Sequence, residues 1–321
     1  MGVQIPKEKW TGKIREFRFG ATREEGGTRS KQIILGGVST MPFLYFEGEM
    51  PHEPVIAMEV IDVVRKDYPQ IAREPFEGVI ESPTEWAKAC VEQHGADAIC
   101  LKLHSTNPEE ENKSPEEAGA LVKEMLKAVS VPLMIYGCGN VEKDAKVMQV
   151  CSDVAKGERC LLGTADEDSY KSISVASMAN DHGLVGFSNL DINLAKQLNI
   201  LLTDFGFKPE NIVMDPLQAG LGYGLEYTHS VIERIRLAAL MGDQMLQMPI
   251  VCDTTVAWNS REAKIENPEW GDEKLRGPFW EATTALSAIT AGADMLIMRH
   301  PKAIKMVRDT AKELASNGGE K

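Results

Sequence analysis

The most distinctive chemical groups of the sequence lie in one stretch, residues 212–224. It begins with a short apolar run that predicts a buried strand, and Asp215 and Pro216 end that strand. The loop that follows contains three glycines, a residue that usually marks a turn with positive φ or the close approach of a ligand. Parallel α/β folds place their sites at the carboxyl ends of strands. Asp215 therefore stands either at a binding site or in a strand-to-helix turn where its carboxylate caps local amides.

The ends of the other predicted strands are rich in glycine and neutral hydrogen-bonding groups and poor in paired carboxylates. Asp215 and Asp253 follow different predicted strands and neither has a second acid beside it, so the pattern does not predict the paired acids of a hydrolase. Neutral groups suit a large, flat ligand that many hydrogen bonds hold at its edges. Asp215 with Asn189 could hold a pterin, and the glycine loops leave room for a tetrapyrrole-like macrocycle. The candidate cofactor-binding residues are Gly137, Cys138, Gly139, Asn189, Asp215, Gln218, Gly220, Gly222, Asp253, Thr254 and Thr255.

Lys102 lies within a predicted strand, residues 98–103, and a barrel lysine can form a Schiff base as in aldolases. Such a nucleophile needs a depressed pKa. Because Lys102 alternates in direction with the leucines on either side, it could equally point into a barrel as a paired charge. A metal triad could come only from His104, Asp215 and His300, and lone histidines at strand ends usually bond to backbone or solvent. We therefore predict no catalytic residue and no metal ligand in this chain.

The six cysteines are scattered over different predicted elements, and no two form a C-x-x-C pair. This spacing argues against a zinc site and against an iron–sulfur cluster held by this chain. Cys138 and Cys252 stand at predicted strand ends, but neither has an evident histidine partner. We expect most of the cysteines to be buried apolar thiols.

The chain has 321 residues, 43% of them hydrophobic, and a formal net charge of −13 at pH 7. Its length is ample for a full core. An acidic surface disfavours sequence-independent binding to nucleic acid or anionic lipid. No apolar run approaches the roughly 20 residues of a membrane span, and the amino terminus lacks the apolar core of a secretory signal. We expect a cytoplasmic protein that binds neither nucleic acid nor membrane.

Short apolar runs alternate along the chain with amphipathic segments. Two of the predicted helices begin with Ser-Pro and have glutamate three residues after the serine, at Ser82 and Ser114. This pattern indicates a capping box with proline in the first helical position. The predicted strands, each followed by a helix, cover residues 31–37, 98–103, 131–136, 160–163, 184–187, 212–214, 249–252 and 295–298.

Continuous apolar strands that alternate with amphipathic helices indicate an α/β fold with parallel pairing and helices outside. Eight such units predict a (β/α)8 TIM barrel, typically about 250 residues plus insertions. A doubly wound open sheet is the alternative, and it is disfavoured because no strand is followed by G-x-G-x-x-G. We divide the chain into an N-terminal arm, residues 1–30, and a TIM barrel domain, residues 31–321.

A long insertion follows the first predicted strand. It contains an apolar patch, residues 41–46, and a short helical pattern at residues 57–64 between breaking prolines. A long loop in a compact fold is usually a lid, a binding loop or an interface element. The apolar patch could therefore contact a partner protein or pack as a lid on its own barrel.

Long runs of the sequence are specific to one known family. Residues 215–227 read DPLQAGLGYGLEY and are followed by ERIRLAAL at residues 233–240. Residues 252–263 read CDTTVAWNSREA, and residues 292–301 read GADMLIMRHP. Over nearly its whole length, the chain resembles the small subunit of the corrinoid iron–sulfur protein. This family includes the delta subunit of the archaeal acetyl-CoA decarbonylase/synthase complex.

The resemblance implies a barrel subunit that pairs with a larger subunit, and the pair carries a methyl group on the cobalt of a cobalamin-type corrinoid. The methyl group comes from methyltetrahydrofolate through a separate methyltransferase and goes to acetyl-CoA synthase in the Wood–Ljungdahl pathway. It also implies that the four-iron four-sulfur cluster belongs to the large subunit only. It implies further that the corrinoid lies at the interface, with this barrel as one wall. Because the neutral, glycine-lined mouth brings no strong ligand to the metal, we predict that no side chain of this chain is a permanent cobalt ligand.

The fold expected for this family is similar to that of pterin-binding methyltransferases and dihydropteroate synthases. Asp215 matches their strand-end acid, but the sequence shows no full set of pterin-binding residues. The alternative function is therefore a stand-alone barrel enzyme, either a pterin-binding methyltransferase or an aldolase. The barrel alone does not decide between carrier subunit and enzyme.

Overall fold

A computed structural model describes residues 6–318 of the chain. Two short strands near the start, β1 (Phe17–Phe19) and β2 (Ile33–Leu35), pair antiparallel in a hairpin. Eight further strands are parallel and form one sheet. They are β3 (Val55–Ile61), β4 (Ala98–Lys102), β5 (Leu133–Tyr136), β6 (Leu161–Ala165), β7 (Gly183–Phe187), β8 (Ile212–Asp215), β9 (Val251–Asp253) and β10 (Met295–Met298).

The sheet closes on itself almost completely. Its order runs β8, β7, β6, β5, β4, β3, β10, β9, so each strand from β3 to β8 lies beside the next one in sequence. Between the two end strands, Met214 forms a parallel bridge with Ile250, and the Met214 amide donates to the Pro249 carbonyl at 2.8 Å. The predicted eight-stranded α/β barrel is thereby confirmed.

Helices surround the barrel in the order that the sequence predicts. The capping box at Ser114 is confirmed, because the Ser114 side chain accepts from the Glu117 amide and the Glu117 carboxylate accepts from the Ser114 amide. At Ser82 the helix begins as predicted, but the Ser82 side chain makes no capping hydrogen bond. The helices are α1 (Gln70–Arg73), α2 (Pro83–Glu92), α3 (Pro115–Ala128), α4 (Val141–Val154), α5 (Tyr170–Ala179), α6 (Ile192–Asp204), α7 (Leu225–Leu240), α8 (Arg261–Lys264), α9 (Glu273–Ala291) and α10 (Pro301–Gly318). Among the helices within residues 6–318, none combines the length and apolar character that crossing a membrane requires.

The first barrel strand is β3, so the prediction of a first barrel strand at residues 31–37 is wrong. The short helix predicted at residues 57–64 is wrong for the same reason, since most of that stretch is β3. Glu59 gives this run the look of an amphipathic element, but every residue of β3 is buried. The barrel tolerates the acid because two cations inside it pair with Glu59.

The hairpin closes the amino-terminal end of the barrel. Phe17 and Phe19 are fully buried, and with Ile33 and Leu35 they pack against the inward-facing side chains of the barrel strands. The sequence does not predict this role, because a three-residue apolar strand has the same residue pattern in a hairpin that closes the barrel as in a strand of the barrel wall. The hairpin pairs residues on both sides of residue 30, and the division of the chain at that residue remains a prediction.

Residues 36–54 connect the hairpin to β3 at the same end of the barrel. Phe43, Tyr45 and Met50 line a cavity of about 540 Å³ there, opposite Val307 and Ala311 of α10. The cavity also touches Pro54 and Asp97, which precede β3 and β4. This is the amino-terminal end of the strands, so the apolar patch is not a lid over the carboxyl-terminal mouth.

Replacing Gly183 with alanine is expected to lower the free energy of unfolding by about 1–3 kcal/mol, because overpacking a core costs that much. A Cβ atom on Gly183 would lie 2.3 Å from Cζ of Phe17 in the amino-terminal hairpin. Urea unfolding followed by tryptophan fluorescence measures the change. In a Phe17→Leu background the smaller side chain makes room, so Gly183→Ala should cost less there. An equal loss of unfolding free energy in both backgrounds would show that the clash is not with Phe17.

Candidate functional site

The carboxyl-terminal mouth of the barrel contains a cavity of about 270 Å³. Side chains from the ends of β3, β4, β9 and β10 line it, together with residues of the loops that follow these strands. The charged and aromatic residues among them are Glu59, Arg65, Asp67, Tyr68, Lys102, His104, Asp253, Trp258, Lys264 and Arg299.

Lys102 is the centre of a buried charge cluster. Its Nζ atom donates to Glu59 Oε1 at 2.8 Å, to Asp253 Oδ2 at 2.6 Å and to Thr255 Oγ1 at 3.1 Å. These three bonds use all the donors of the ammonium group. Of the two roles considered for Lys102, a Schiff-base nucleophile and a paired structural charge, the structure therefore shows the paired charge.

Arg299 closes the cluster on the other side of Glu59. Its Nε atom donates to Glu59 Oε2 at 2.6 Å, and its guanidinium carbon lies 4.4 Å from the centre of the Tyr68 ring. Glu59 and Arg299 are absent from the candidate residues predicted from the sequence. One signal could have found them, since an acid in an apolar strand and an arginine at a strand end both need a partner when buried.

The charges in the cluster set each other's protonation. Burial would raise the pKa of Glu59, but Arg299 and Lys102 outweigh it and hold that pKa well below its usual range. Burial would lower the pKa of Lys102, but Asp253 and Glu59 raise it above its usual value. Lys102 is therefore a protonated ammonium at neutral pH and lacks the free amine that a Schiff-base nucleophile needs.

Lys102 is expected to resist trapping by sodium borohydride in the presence of pyruvate or glycolaldehyde. A protonated amine held by two carboxylates does not attack a carbonyl group. Peptide mass spectrometry after reduction measures this, with the exposed Lys305 as the internal reference for background alkylation. A stoichiometric adduct on Lys102 with little on Lys305 would contradict the expectation and favour the aldolase alternative.

Asp215, at the end of β8, is buried, does not line the mouth cavity, and is in a different electrostatic state. Its Oδ1 atom accepts from the Leu217 amide at 2.9 Å. Burial raises the pKa of Asp215 to about 7, and the charge of Asp253 adds to the shift, while the Leu217 hydrogen bond and Lys102 oppose it. Asp215 can therefore hold a proton near neutral pH and act as a hydrogen-bond donor.

Several buried polar atoms around the mouth have no hydrogen-bond partner among the described residues. They belong to Tyr136 at the end of β5, Ser188 after β7, Gln218 after β8 and His104 after β4. The unpartnered atoms are Tyr136 Oη, Ser188 Oγ, Gln218 Oε1 and His104 Nδ1. Buried polar atoms are normally satisfied, so such a set indicates water or a ligand. Burial and the charge of Lys102 lower the pKa of His104, which keeps its imidazole neutral.

The predicted cofactor-binding residues fall into separate groups. Asp253 and Thr255 line the mouth cavity, and Asp253 influences the charge of Asp215. Gln218 follows Asp215 and is buried, while Asn189 beside Ser188 is exposed. The contact of each predicted residue with a cofactor remains a prediction.

The other predicted residues have local structural roles. The amides of Cys138 and Gly139 donate to the Asp144 carboxylate, and Asp144 fills the space beside Gly137. Thr254 Oγ1 donates to the Ile297 carbonyl at 2.8 Å. Gly220 packs against Ala257 and Ser260, whereas Gly222 is exposed and has a φ of +78°.

The two histidines considered as metal ligands lie in different surroundings. His300 is buried beneath the mouth, stacks on Trp258 with ring centres 5.8 Å apart, and accepts from the Lys302 amide. His104 lines the mouth cavity. Within residues 6–318, no three His, Cys, Asp or Glu side chains come together in a way that could hold a metal ion.

Comparison with solved structures gives the same fold. Dihydropteroate synthase from Xanthomonas albilineans, in complex with 7,8-dihydropteroate, superposes with a TM-score of 0.55 at 13% sequence identity. The match covers 87% of this chain and 99% of the synthase. The synthase from Thermus thermophilus gives a TM-score of 0.55 at 15% identity, over 86% of this chain and 99% of that one. At these identities the likeness concerns the fold alone.

Comparison with curated sequences gives a closer relationship. The chain is 41% identical over 316 residues to the acetyl-CoA decarbonylase/synthase complex subunit delta of Methanocaldococcus jannaschii, covering 98% of this chain and 77% of that protein. It is 39% identical over 314 residues to subunit delta 1 of Methanosarcina thermophila, covering 95% of this chain and 72% of that protein. A family model described as CO dehydrogenase/acetyl-CoA synthase delta subunit matches residues 17–309. By this match and these identities, the chain belongs to the CO dehydrogenase/acetyl-CoA synthase delta subunit family.

Proposed function

We propose that this chain is the small subunit of a corrinoid methyl carrier in the acetyl-CoA, or Wood–Ljungdahl, pathway. The carrier takes a methyl group from methyltetrahydrofolate through a separate methyltransferase and passes it to acetyl-CoA synthase in the cytoplasm. The observation that carries this proposal is the near full-length similarity to delta subunits of the acetyl-CoA decarbonylase/synthase complex. The self-paired charges of the mouth support it, because they leave no activated nucleophile there.

The mouth fits a corrinoid as one wall of a site. A cavity of about 270 Å³ is smaller than the roughly 300–1,000 Å³ of a pocket that encloses a drug-sized ligand. A corrinoid would therefore lie across the mouth, with most of its surface on the larger subunit. The unpartnered Tyr136 Oη, Ser188 Oγ, Gln218 Oε1 and His104 Nδ1 match the hydrogen-bonding needs of the neutral amide groups at a corrin's edge.

The chemistry that the corrinoid supplies when bound is methyl transfer to and from low-valent cobalt. The part of this chain is to bind, to orient and to exclude water. Glu59, Lys102, Asp253 and Arg299 neutralise one another, so the carboxylates of Glu59 and Asp253 are already paired and are not free to bind a metal. Asp215 in its protonated form would donate a hydrogen bond to an amide oxygen.

The iron–sulfur cluster belongs to the partner in this proposal. All six cysteines of the chain are free thiols, and all but the half-buried Cys138 are buried. Burial raises the pKa of these thiols, which disfavours the thiolate that binds iron. A cluster site in the large subunit would leave this barrel without iron of its own.

A second candidate is a stand-alone pterin-binding enzyme. One observation favours it, namely the buried strand-end carboxyl of Asp215 beside the unpartnered hydroxyl of Tyr136. The buried ammonium of Lys102 lies nearby and influences the same carboxyl. Folate binding by the isolated chain therefore separates the two candidates.

The test compares this chain purified alone with the chain co-produced with the corrinoid-binding subunit from the same organism. Cobalt, iron, the visible corrinoid spectrum and methyltetrahydrofolate binding are measured in both preparations. We expect corrinoid and iron only in a one-to-one complex, and no folate bound by the chain alone. Binding or turnover of methyltetrahydrofolate by the chain alone would overturn the carrier proposal in favour of the enzyme.

A further inference from the structure

The exposed large hydrophobic side chains of residues 6–318 are unevenly distributed. Six of the fourteen lie in two short segments, residues 223–227 and 265–279. Isolated exposed apolar residues are normal on a protein surface, but a concentration of them marks an interaction site. We call this set the aromatic rim, and it consists of Tyr223, Tyr227, Ile265, Trp270, Leu275 and Phe279.

Direct contacts join the two segments into one surface. Tyr223 Oη donates to Glu262 Oε2 at 3.3 Å, so the loop after β8 touches α8. Trp280 Nε1 donates to the Leu221 carbonyl at 3.2 Å, and Thr284 Oγ1 accepts from the Leu221 amide at 3.2 Å. These bonds attach the loop of Tyr223 to α9, which carries Leu275 and Phe279 one turn apart.

The second segment is fixed in place by Arg276. Its Nη2 atom donates to the Ile265 carbonyl at 2.6 Å, and its guanidinium lies 5.4 Å from the centre of the Trp270 ring. Arg276 itself is buried. These contacts hold Ile265 and Trp270 against α9, which lowers the entropy that binding has to overcome at these two residues.

Acidic side chains surround the rim. Within residues 223–227 and 261–275 there are six acids and three basic residues. The exposed acids are Glu226, Glu266, Glu269 and Asp272, and the exposed basic residues are Arg261, Lys264 and Lys274. The chain as a whole has a formal net charge of −13, so a second copy would be repelled, whereas a partner with lysine or arginine around an apolar anchor would be attracted.

The rim adjoins the barrel mouth. Lys264 and Asn259 line the mouth cavity, and Ile265 follows Lys264 directly. The loop that carries Tyr223 begins directly after Asp215 and includes Gln218. A protein seated on the rim would therefore stand at the edge of the mouth.

We propose that the aromatic rim is the docking surface for the corrinoid-binding partner subunit. This inference rests on the proposed function and adds to it the surface used and the chemistry of the partner. The partner presents an apolar anchor to Tyr227 and Phe279, and basic side chains to the acids around them. Docking there brings the group held by the partner over the mouth. Aromatic residues in such a position carry much of the binding energy of protein interfaces.

The test measures the dissociation constant between the full chain and the cobalt-containing corrinoid-binding subunit. The variant is Tyr227→Ser with Phe279→Ser, and the matched control is Val175→Ser with Ile200→Ser on α5 and α6, whose side chains are also exposed. Circular dichroism and thermal unfolding verify that both variants fold. We expect the rim variant to bind at least about 30-fold more weakly and the control to bind as the wild type does.

A charge variant tests the acidic border independently. Glu266→Lys with Asp272→Lys should weaken binding and reduce its dependence on salt concentration. If the wild-type chain binds the partner and both variants bind it equally tightly, the rim proposal is overturned and the proposed function stands. If the wild-type chain forms no complex, both proposals fall. Self-association of the lone chain that the rim variant abolishes would assign the surface to a second copy and overturn the proposal.

Discussion

Replacing Glu59 with glutamine is expected to lower the free energy of unfolding by about 3–5 kcal/mol. The carboxylate of Glu59 pairs with Lys102 on one oxygen and with Arg299 on the other, and its side chain is only 1% exposed. Glutamine keeps the shape but removes the charge, which leaves Lys102 with Asp253 as its one carboxylate partner and Arg299 without its ion pair to Glu59. Urea unfolding followed by the fluorescence of the buried Trp86 and Trp258 measures the loss.

The matched control is Glu85→Gln, which makes the same substitution in an exposed pair with Lys88. Exposed ion pairs contribute little to the free energy of unfolding, so this variant should have the same urea midpoint as the wild type. Glu59 has a folded-state pKa below its ordinary 4.5, so its contribution is present above that pH and fades only in stronger acid. A Glu59→Gln variant as stable as the wild type at pH 7 would show that water already screens the two cations.

The barrel could be predicted because most of its strands are buried on both faces and so appear as continuous apolar runs. Strands β4 to β10 lie where those runs stand in the sequence. β3 could not be recognised in this way, since Glu59 interrupts its apolar pattern. Its partners Lys102 and Arg299 are 43 and 240 residues away, and no local pattern reports such a pairing.

The site was predicted in the same partial way. Asp215, Asp253 and Thr255 could be found because they follow apolar strands, and in a barrel the strand ends meet at one mouth. The loop of Gly137 to Gly139 obeys the same rule, yet its amides are taken up by Asp144 one turn into the next helix. Sequence position therefore identifies the mouth, whereas the hydrogen bonds decide which groups remain free to bind a ligand.

The free groups and the paired groups of the mouth have different consequences. Lys102, Glu59 and Arg299 satisfy one another, so their substitution should act on stability. Asp215 has no cationic hydrogen-bond partner within residues 6–318, and burial raises its pKa to about 7, so it can hold a proton near neutral pH. Its substitution should therefore act through pH.

Replacing Asp215 with asparagine is expected to remove a pH dependence from the stability of the protein. The pKa of Asp215 is about 7 in the folded chain, against 3.8 for an unperturbed aspartate. Between these two values the folded state holds a proton that the unfolded state has lost, so this residue makes the wild type less stable as pH rises from about 4 to 7. The complete pKa shift corresponds to about 4 kcal/mol. Between pH 4 and pH 8, the unfolding free energy of Asp215→Asn should therefore rise relative to that of the wild type by up to this amount.

The measurement is urea unfolding of both proteins at intervals from pH 4 to pH 8, with the difference in unfolding free energy plotted against pH. The difference isolates Asp215, because Glu281, whose pKa burial also raises to about 7, is present in both proteins. Asp309→Asn on the exposed face of α10 serves as the control and should show no such slope. Parallel curves for the wild type and Asp215→Asn would mean that Asp215 ionises normally in the folded protein. The mouth would then hold an anion in place of a donor, and the hydrogen bond proposed from Asp215 to a corrin amide oxygen would be excluded.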